Sequence, residues 1–235
     1  LKSRFGVETE LKPARVAYRE KIKGRVEAHG RHKKQSGGSG QFGDVWIRFE
    51  PQEEQDDMIF AEEVFGGSVP KNFFPSVEKG LRNAVTKGVL AGYPLVGLKA
   101  TLYDGSYHPV DSNDMAFQTA ARLAYQDGIP KAKPTILEPI GLLQVTIPDA
   151  NLGDIMSDIS SKRRGTVLGM NAEDGMQTVE AEVPLAEMSS YTIDLRSMTQ
   201  GRGSFSCKFI RYEEAPGNVQ QKVIEEAKAL AESEG

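Results

Sequence analysis

This sequence of 235 residues has a single cysteine and no long apolar stretch. One cysteine, Cys207, excludes an internal disulfide and fits a reducing compartment. No apolar run is long enough to predict a membrane span, and no signal-peptide pattern is present, so we expect a cytoplasmic protein without a membrane partner. The length predicts one large or two modest domains. The chain begins at Leu1 rather than at methionine, which predicts a fragment or a processed product.

Motifs that carry catalysis or bind a metal are equally scarce. Neither HExxH nor GxSxG occurs, and the three histidines lack the spacing of a metal site. The glycine-rich stretch at 37–43 lacks the GK[ST] of a phosphate-binding loop and opens no helix, which excludes a dinucleotide fingerprint as well. If this chain were an enzyme, its catalytic residues would have to be His108 with Asp104 or Asp111. We expect no cofactor, no metal and no catalysis from this chain, and we interpret His108 as an exposed contact residue.

Charge is unevenly distributed along the chain. The formal net charge is −4, which argues against a general nucleic-acid coat. Between Lys21 and Gly43, however, there are six lysines and arginines and one acid, whereas the stretch from Glu50 to Glu63 holds seven acids and no base. Basic charge concentrated at one place predicts a focused anionic contact.

The basic stretch Gly30–Asp44, GRHKKQSGGSGQFGD, is predicted to be the tip of a long hairpin. Alternation at period two predicts one strand over Tyr18–Gly30 and a returning strand over Asp44–Phe49, whose outer face is basic with one aromatic residue, Trp46. The residues alone leave two interpretations of the tip: a flexible solvated loop, or a loop inserted into a narrow anionic site. Trp46 either packs under a neighbouring loop or stays partly exposed to stack.

The rest of the first half predicts a compact α+β module. The expected elements are a strand over Met58–Phe65, a helix from Pro70 and Pro75 to Gly88, a strand over Pro94–Leu102, and a loop over Tyr103–Asp111 with a turn at Asp104-Gly105. Asp111 or Ser112 is expected to cap a second helix. The order βββαβα would end near Lys133-Pro134.

The second half predicts a ferredoxin-like domain, because its elements follow the order βαββαβ. Strands are expected over Leu143–Ile147, Thr166–Asn171, Gln177–Val183 and Ser204–Tyr212, and helices over Leu152–Ile159 and Leu185–Leu195. The first helix should end in Lys162, Arg163 and Arg164 with Gly165 as its stop. These cations either only cap the helix or, with Arg202, form a phosphate-facing patch. Cys207 is expected in the core, and Pro216–Glu232 as an amphipathic helix.

Three stretches resemble the C-terminal half of bacterial elongation factor G. They are GRHKKQSGGSGQFGDVWIRFEP, VEKGLRNAVTKGVLAGYPLVGLKATLYDGSYHPVDSNDMAF and VPLAEMSSYTIDLRSMTQGRGSF. The resemblance implies an α+β fold with two domains: residues 18–134 as a ribosomal-protein-S5-domain-2-like module, the family's fourth domain, and residues 135–213 as its ferredoxin-like fifth domain. Residues 214–235 would be a C-terminal helix packing on the fourth domain, and residues 1–17 a remnant of the third domain with a linker.

The resemblance also implies a function. The family's members are GTPases that move tRNA and mRNA through the ribosome, with GTP and Mg²⁺ held by a domain outside this chain, and a monomer is expected. Two tip loops, residues 32–43 and 103–111, would enter the decoding region of the small subunit. Matched by position, the RNA contacts would be Lys33, Lys34, Gln35, Ser36, Gly37, Gly38, Ser39, Gly40, Gln41, Tyr107, His108, Pro109, Val110 and Asp111. In the second domain the corresponding contacts with ribosomal RNA would be Lys162, Arg163, Arg164 and Arg202.

Two positions depart from the family pattern. Ser39 stands where the family usually has a basic residue, and SSKRRG replaces NSRRG with one extra residue. Three functions therefore stay open: a general translocase, an elongation-factor-G-like paralog that acts in recycling or another specialised ribosomal role, and a stand-alone RNA-binding module.

Overall fold

The computed structural model describes residues 16–35 and 37–235, and the predicted α+β class is confirmed. It divides into a larger unit, Tyr18–Leu137 with Glu214–Gly235, and a smaller unit that includes Glu138–Glu213. The predicted strand over Leu1–Lys12 lies outside the described residues. Within the described ranges, no helix is both long and apolar enough to cross a membrane.

The elements follow one another as β1 Arg19–Ile22, β2 Val26–Lys34, β3 Gln41–Pro51, β4 Ile59–Glu62, α1 Phe74–Ala84, β5 Leu98–Ser106, α2 Asp114–Gly128, β6 Pro134–Pro148, α3 Leu152–Ser157, β7 Thr166–Glu173, β8 Met176–Pro184, α4 Tyr191–Thr199, β9 Ser204–Glu214 and α5 Gly217–Glu234.

The larger unit is built on a four-stranded sheet in the order β2–β3–β5–β4. Strands β2 and β3 form the predicted hairpin, in register from Val26 opposite Phe49 to Lys34 opposite Gln41. The predicted inward residues of β3, including Val45 and Ile47, are fully buried in one core with the apolar side chains of α1 and α2. Burial of this kind contributes roughly 2 kcal/mol for each large aliphatic side chain.

Helix α2 packs directly on the backbone of the hairpin because two glycines leave room for it. A Cβ added at Gly30 of β2 would overlap the carbonyl oxygen of Ala120, and one at Gly43 of β3 would lie 2.5 Å from the carbonyl oxygen of Ala116. Side chains at these positions would hold the helix away from the sheet. The hairpin is therefore braced by α2 close to its tip.

The predicted strand over Tyr18–Gly30 is interrupted. Strand β1 pairs with residues 134–137 of β6, whereas β2 pairs with β3. Between them the backbone N–H of Gly24 donates to the carbonyl of Ala132 at 2.8 Å. The alternating pattern records burial on one face, and two consecutive strands in different sheets satisfy it as well as one long strand does.

The predicted turn at Asp104-Gly105 is wrong. Both residues lie in β5, where Gly105 is opposite Val45 and Asp104 is opposite Trp46. A Cβ at Gly105 would overlap the carbonyl oxygen of Asp44, so the glycine permits close approach of two strands rather than a reversal of the chain. The connection that follows β5 is consequently shorter than predicted and comprises residues 107–113.

The cap of α2 is Asn113, not Asp111 or Ser112. The Asn113 side chain accepts a hydrogen bond from the backbone N–H of Ala116 at 2.8 Å, and its backbone is extended. Because Asn is a strong N-cap residue, the helix starts one residue after it. Because Ser112 does not cap the helix, its hydroxyl can form hydrogen bonds with the preceding loop and with β3.

The smaller unit confirms the ferredoxin-like prediction. Its sheet has the order β9–β6–β8–β7, in which the fourth strand of the domain pairs with the first and the third lies between the first and the second. Strands β7 and β8 join at Asp174 and Gly175, both with positive φ, as a two-residue hairpin turn requires. The core contains Leu143, Val179 and Tyr191.

Both helices of the smaller unit differ from their predicted bounds. Helix α3 ends at Ser157 and continues as a π-helical turn over Asp158–Lys162, which holds one more residue than an α turn. This turn contains Ser160, Ser161 and Lys162, the first three residues of SSKRRG. The left-handed residue after it is Arg164, at φ 52°, and not the predicted Gly165. Residues 185–187 form a separate 3₁₀ turn, so α4 begins only at Tyr191.

Candidate nucleic-acid interface

Two loops lie side by side at one end of the larger unit: the first loop, residues 35–40 between β2 and β3, and the second loop, residues 107–113 between β5 and α2. The Phe42 N–H, just after the first loop, donates to the carbonyl of Asp111 at 2.9 Å. The Ser112 hydroxyl donates to the carbonyl of Phe42, also at 2.9 Å. Although about 70 residues separate them in the sequence, the two loops are fixed to one another.

The first loop contacts the second at Gly40, whereas its residues Gly37 and Gly38 border open space. A Cβ at Gly40 would lie 2.6 Å from Oδ2 of Asp111, so a larger residue here would require the Asp111 carboxylate to move. At Gly37 and Gly38, by contrast, a Cβ would meet nothing, but both have positive φ, at 65° and 128°. These two glycines are needed for the course of the backbone and not for space.

Most of the predicted contact residues are exposed. In and beside the first loop these are Lys33, Lys34, Gln35, Gly37, Gly38 and Ser39, while Gly40 and Gln41 are half-buried and Ser36 lies outside the described residues. Oε1 of Gln41 is 2.8 Å from Nε2 of His32. In the second loop Tyr107, His108, Pro109 and Val110 are exposed, with 82% of Val110 accessible, and Asp111 is half-buried against Gly40.

His108 is held at the surface by the backbone of its own loop. Its N–H donates to the Ser112 hydroxyl at 2.9 Å, and its Nδ1 accepts from the N–H groups of Val110 and Asp111 at 3.2 and 3.0 Å. The imidazole remains 49% exposed and its centroid lies 6.4 Å from that of Phe42. An enzyme would need His108 and the nearby carboxylates to converge in a concave pocket. An exposed loop whose histidine is engaged by main-chain amides argues against that interpretation.

The outer face of the hairpin carries a polar and aromatic cluster that the sequence did not reveal. The rings of His29 and Trp46 stack at 4.4 Å, and Nε2 of His29 is 2.5 Å from Oδ1 of Asp44. The Ser106 hydroxyl donates to the other Asp44 oxygen at 2.6 Å. Trp46 is therefore both packed and 38% exposed. The sequence feature that could have revealed this cluster is the cross-strand spacing. It places His29 and Trp46 opposite one another once the hairpin register is known.

Comparisons with known proteins identify the family of this chain. Residues 14–133 match the family model described as "Elongation factor G, domain IV", and residues 135–223 match "Elongation factor G C-terminus". The chain belongs to the elongation factor G family.

A solved structure supports the same assignment. A crystal structure of a protein from Thermus thermophilus is 43% identical to this chain, with a TM-score of 0.81. The match covers 93% of this chain but only 32% of the Thermus protein. The chain thus spans about a third of the length of the protein that it matches.

In the part matched by the elongation factor G C-terminus model, the Arg163 side chain is buried and its charge is paired within the smaller unit. It is 1% exposed, donates to Asp158 at 2.7 Å and to Asp194 at 2.5 Å, and lies over the ring of Tyr191. Burial by itself lowers the pKa of Arg163, but the hydrogen bonds to the two aspartates outweigh it and raise the pKa above its usual value. Arg163 is therefore a structural residue of the smaller unit, and a role in contacting phosphate does not fit its burial.

The other three cations predicted to contact RNA in this part differ in how far their charge is exposed to solvent. Arg164 is half-buried and donates through both terminal nitrogens to Glu138, which raises the pKa of the guanidinium. Lys162 is 60% exposed, although its amine is 3.1 Å from Asp194. Arg202 is exposed and donates to the carbonyl of Thr199 at 3.3 Å. Lys162 and Arg202 are the two of the set that present charge to solvent.

The described residues contain no group of three or more histidine, cysteine, aspartate or glutamate side chains arranged to hold a metal ion. Cys207 is half-buried and packs against the core of the smaller unit, and burial raises the pKa of its thiol.

Proposed function

We propose that this chain is the C-terminal part of a translational GTPase and that this part contacts the ribosome. The whole factor would act as a monomer in the cytoplasm. The larger unit would be the family's fourth domain, and the smaller unit its fifth. GTP and Mg²⁺ would bind in a part of the longer protein that this chain does not include, because its sequence holds no GxxxxGK[ST] motif. The fragment itself would not hydrolyse GTP.

In this proposal the two loops enter the decoding region of the small ribosomal subunit and promote the movement of tRNA and mRNA. They would bind around the codon–anticodon duplex and keep it paired while the subunit moves. RNA duplexes are recognised chiefly by shape, 2′-hydroxyls and phosphates, which fits loops that present main chain, glycines and two lysines rather than an array of base-reading side chains.

The observation that carries the proposal is the pairing of the loops. Hydrogen bonds between Phe42, Asp111 and Ser112 fix the two loops together, while the tips beyond them remain exposed. The bracing of the hairpin by α2 at Gly30 adds rigidity behind them. A rigid support carrying an exposed, partly cationic tip is suited to push against or hold an RNA duplex, whereas a flexible solvated loop would need none of these contacts.

The first prediction tests the mechanical role of the tip. In a full-length factor that contains this chain, His108→Ala should slow translocation strongly and leave ribosome-stimulated GTP hydrolysis near normal. The reason is that the substitution removes one exposed side chain from the second loop and touches no part of a GTP-binding domain. Translocation and hydrolysis are measured in parallel by rapid kinetics on the same ribosomes.

Arg122→Ala is the matched control, because Arg122 is an exposed residue of the same unit on α2. It should leave both rates unchanged. If GTP hydrolysis falls in parallel with translocation in His108→Ala, the separation of roles is wrong.

A second candidate is a paralog that acts in recycling or another specialised ribosomal role. The exposed Ser39 favours it, because the first loop then lacks the cation that the family usually carries there. The SSKRRG stretch, whose first three residues lie in the π-helical turn Asp158–Lys162, is a second departure from the family pattern, in the unit whose Lys162 and Arg202 would face ribosomal RNA. If the factor acts in recycling, its rate of separating the ribosomal subunits should exceed its rate of tRNA and mRNA translocation.

A further inference from the structure

We propose that the second loop holds His108 as the neutral tautomer with its proton on Nε2, and that the tip therefore offers RNA an uncharged N–H donor. Ser112 is the positioning residue for this donor. The recognition role rests on the proposed function, whereas the tautomer is a property of the chain itself.

The tautomer follows from what surrounds Nδ1. The backbone N–H groups of Val110 and Asp111 approach it at 3.2 and 3.0 Å. A backbone N–H can only donate, so Nδ1 has to accept and cannot carry a proton. Neutral imidazole has one N–H, which then lies on Nε2. A ring rotated by about 180° would place a C–H group against both donors and lose these hydrogen bonds.

The nearby carboxylate does not change this assignment. Oδ2 of Asp111 is 3.7 Å from Nδ1 of His108, which is too long for a hydrogen bond. A proton on Nδ1 would gain the attraction of that charge but would face two N–H groups at hydrogen-bond distance. Among the described residues, Nε2 has no hydrogen-bond partner, so this N–H remains available to a ligand.

Ser112 connects His108 to the first loop. Its hydroxyl accepts the His108 N–H at 2.9 Å and donates to the Phe42 carbonyl at 2.9 Å, and its own N–H donates to the His108 carbonyl at 3.2 Å. The residues 108–112 are thereby closed into one turn and attached to β3. Removing the hydroxyl takes away one of the two bonds that close the turn and one of the two that attach it to β3. The Ser112 N–H to His108 carbonyl bond and the Phe42 N–H to Asp111 carbonyl bond stay.

The partner that suits this donor is an oxygen of an RNA duplex. Both 2′-hydroxyl and phosphate oxygens accept from a neutral N–H, and the wide minor groove of duplex RNA exposes both. A neutral donor releases no counterion when it binds, unlike Lys33 or Lys34. His108 should therefore contribute directional contact with little salt dependence, beside lysines that contribute charge.

Nuclear magnetic resonance of the 235-residue chain tests the tautomer directly. A long-range ¹H–¹⁵N correlation at about pH 7.5, above the ordinary pKa of histidine, should show a protonated Nε2 and an unprotonated Nδ1 for His108, with the signals assigned by their loss in His108→Gln. Ser112→Ala should bring His108 toward the averaged pattern of a free histidine, and Ser112→Thr, which keeps a hydroxyl, should restore the wild-type pattern. Circular dichroism checks that each variant is folded. A proton on Nδ1 in the wild-type chain would overturn the proposal.

Translocation by the full-length factor tests the donor role. His108→Gln keeps an uncharged N–H donor at similar reach and should remain within about twofold of wild type, whereas His108→Leu should be roughly fivefold slower, as expected for one lost hydrogen bond. Equal defects in both variants would overturn the donor role even if the tautomer is confirmed. If neither variant nor His108→Ala affects translocation, the proposed function of the tip fails, while the tautomer result stands on its own.

Discussion

Single residues of this chain owe their roles to hydrogen-bond partners that lie far away in the sequence. Glu20 is fully buried, and its carboxylate accepts the backbone N–H groups of Leu90, Ala91 and Tyr93 at 2.8–3.0 Å. A buried carboxylate is tolerated only when such donors satisfy it. In the sequence, Glu20 is simply an acid between two bases, and nothing local distinguishes it from a surface residue.

Asp194, one of the two aspartates that bind Arg163, should make the stability of the protein depend on pH. Hydrogen bonds from Ser190, from Arg163 and from Lys162 lower the pKa of Asp194 to about 2, below its ordinary value. Because the folded-state pKa is the lower one, the stabilisation is present above about pH 4 and is lost as the pH falls from about 4 toward about 2. Asp194→Asn should be less stable than wild type by about 2 kcal/mol near pH 7, and this difference should shrink over that window.

Urea unfolding followed by circular dichroism at several pH values measures the effect. Glu173→Gln, an exposed carboxylate at the end of β7, is the control and should follow the wild-type profile. A difference between wild type and Asp194→Asn that stays constant down to about pH 2 would show that Asp194 is not the group that titrates.

At the scale of elements, the hairpin and α2 act together as the support of the loops. Their close approach depends on Gly30 and Gly43, because the carbonyls of Ala120 and Ala116 occupy the space of a side chain. The two loops are then attached to each other at Phe42 and Ser112. The sequence predicts the hairpin and the helix separately, but not that they touch through backbone atoms.

Gly30→Ala tests this support. The added methyl group would overlap a helix carbonyl, so we expect a loss of about 3 kcal/mol in the free energy of unfolding. The tip should also loosen, because α2 has to move away from β2. Chemical denaturation measures the first effect, and hydrogen exchange of the amides of Phe42 and Asp111 measures the second.

Gly217→Ala is the matched control for this substitution. A Cβ at Gly217, the first residue of α5, would meet nothing, so stability should change by less than about 0.5 kcal/mol. Equal stability of the two variants would show that α2 adjusts without cost and that the support is not rigid.

The whole molecule combines a negative net charge with a local basic tip. The isolated chain carries −4 overall, and Lys33 and Lys34 are the two lysines that directly precede the first loop in the sequence. Ribosome binding would therefore depend on many surfaces of a longer protein, and the charge of this chain alone cannot support a strong attraction to RNA.

Salt dependence distinguishes this view from a stand-alone RNA-binding module. Binding of the chain to a short RNA duplex should be weak and should fall roughly tenfold between about 50 and about 200 mM salt, as expected for about two phosphate contacts. Replacing Lys33 and Lys34 together by Gln should remove most of this dependence, whereas Lys228→Gln on the exposed side of α5 should not. Fluorescence anisotropy measures the affinities. A loss of roughly a thousandfold over the same range would favour the stand-alone module.

The sequence by itself determined those features that depend on neighbours in the chain. Alternation at period two predicts the hairpin of β2 and β3, and the order of elements predicts the ferredoxin-like unit. The three stretches at 30–51, 77–117 and 183–205 together were sufficient to indicate the elongation factor G family. Such signals are readable because backbone conformation and one-sided burial leave regular local patterns.

Only the tertiary structure decided what each polar group binds. It placed Gly105 inside a strand, buried Arg163 between two aspartates, moved the helix cap to Asn113, and joined the two loops through Ser112. The physical reason is the same in each case. The desolvation and hydrogen bonding of a group depend on the residues that pack against it, and these are set by how the whole chain folds rather than by its neighbours in the sequence.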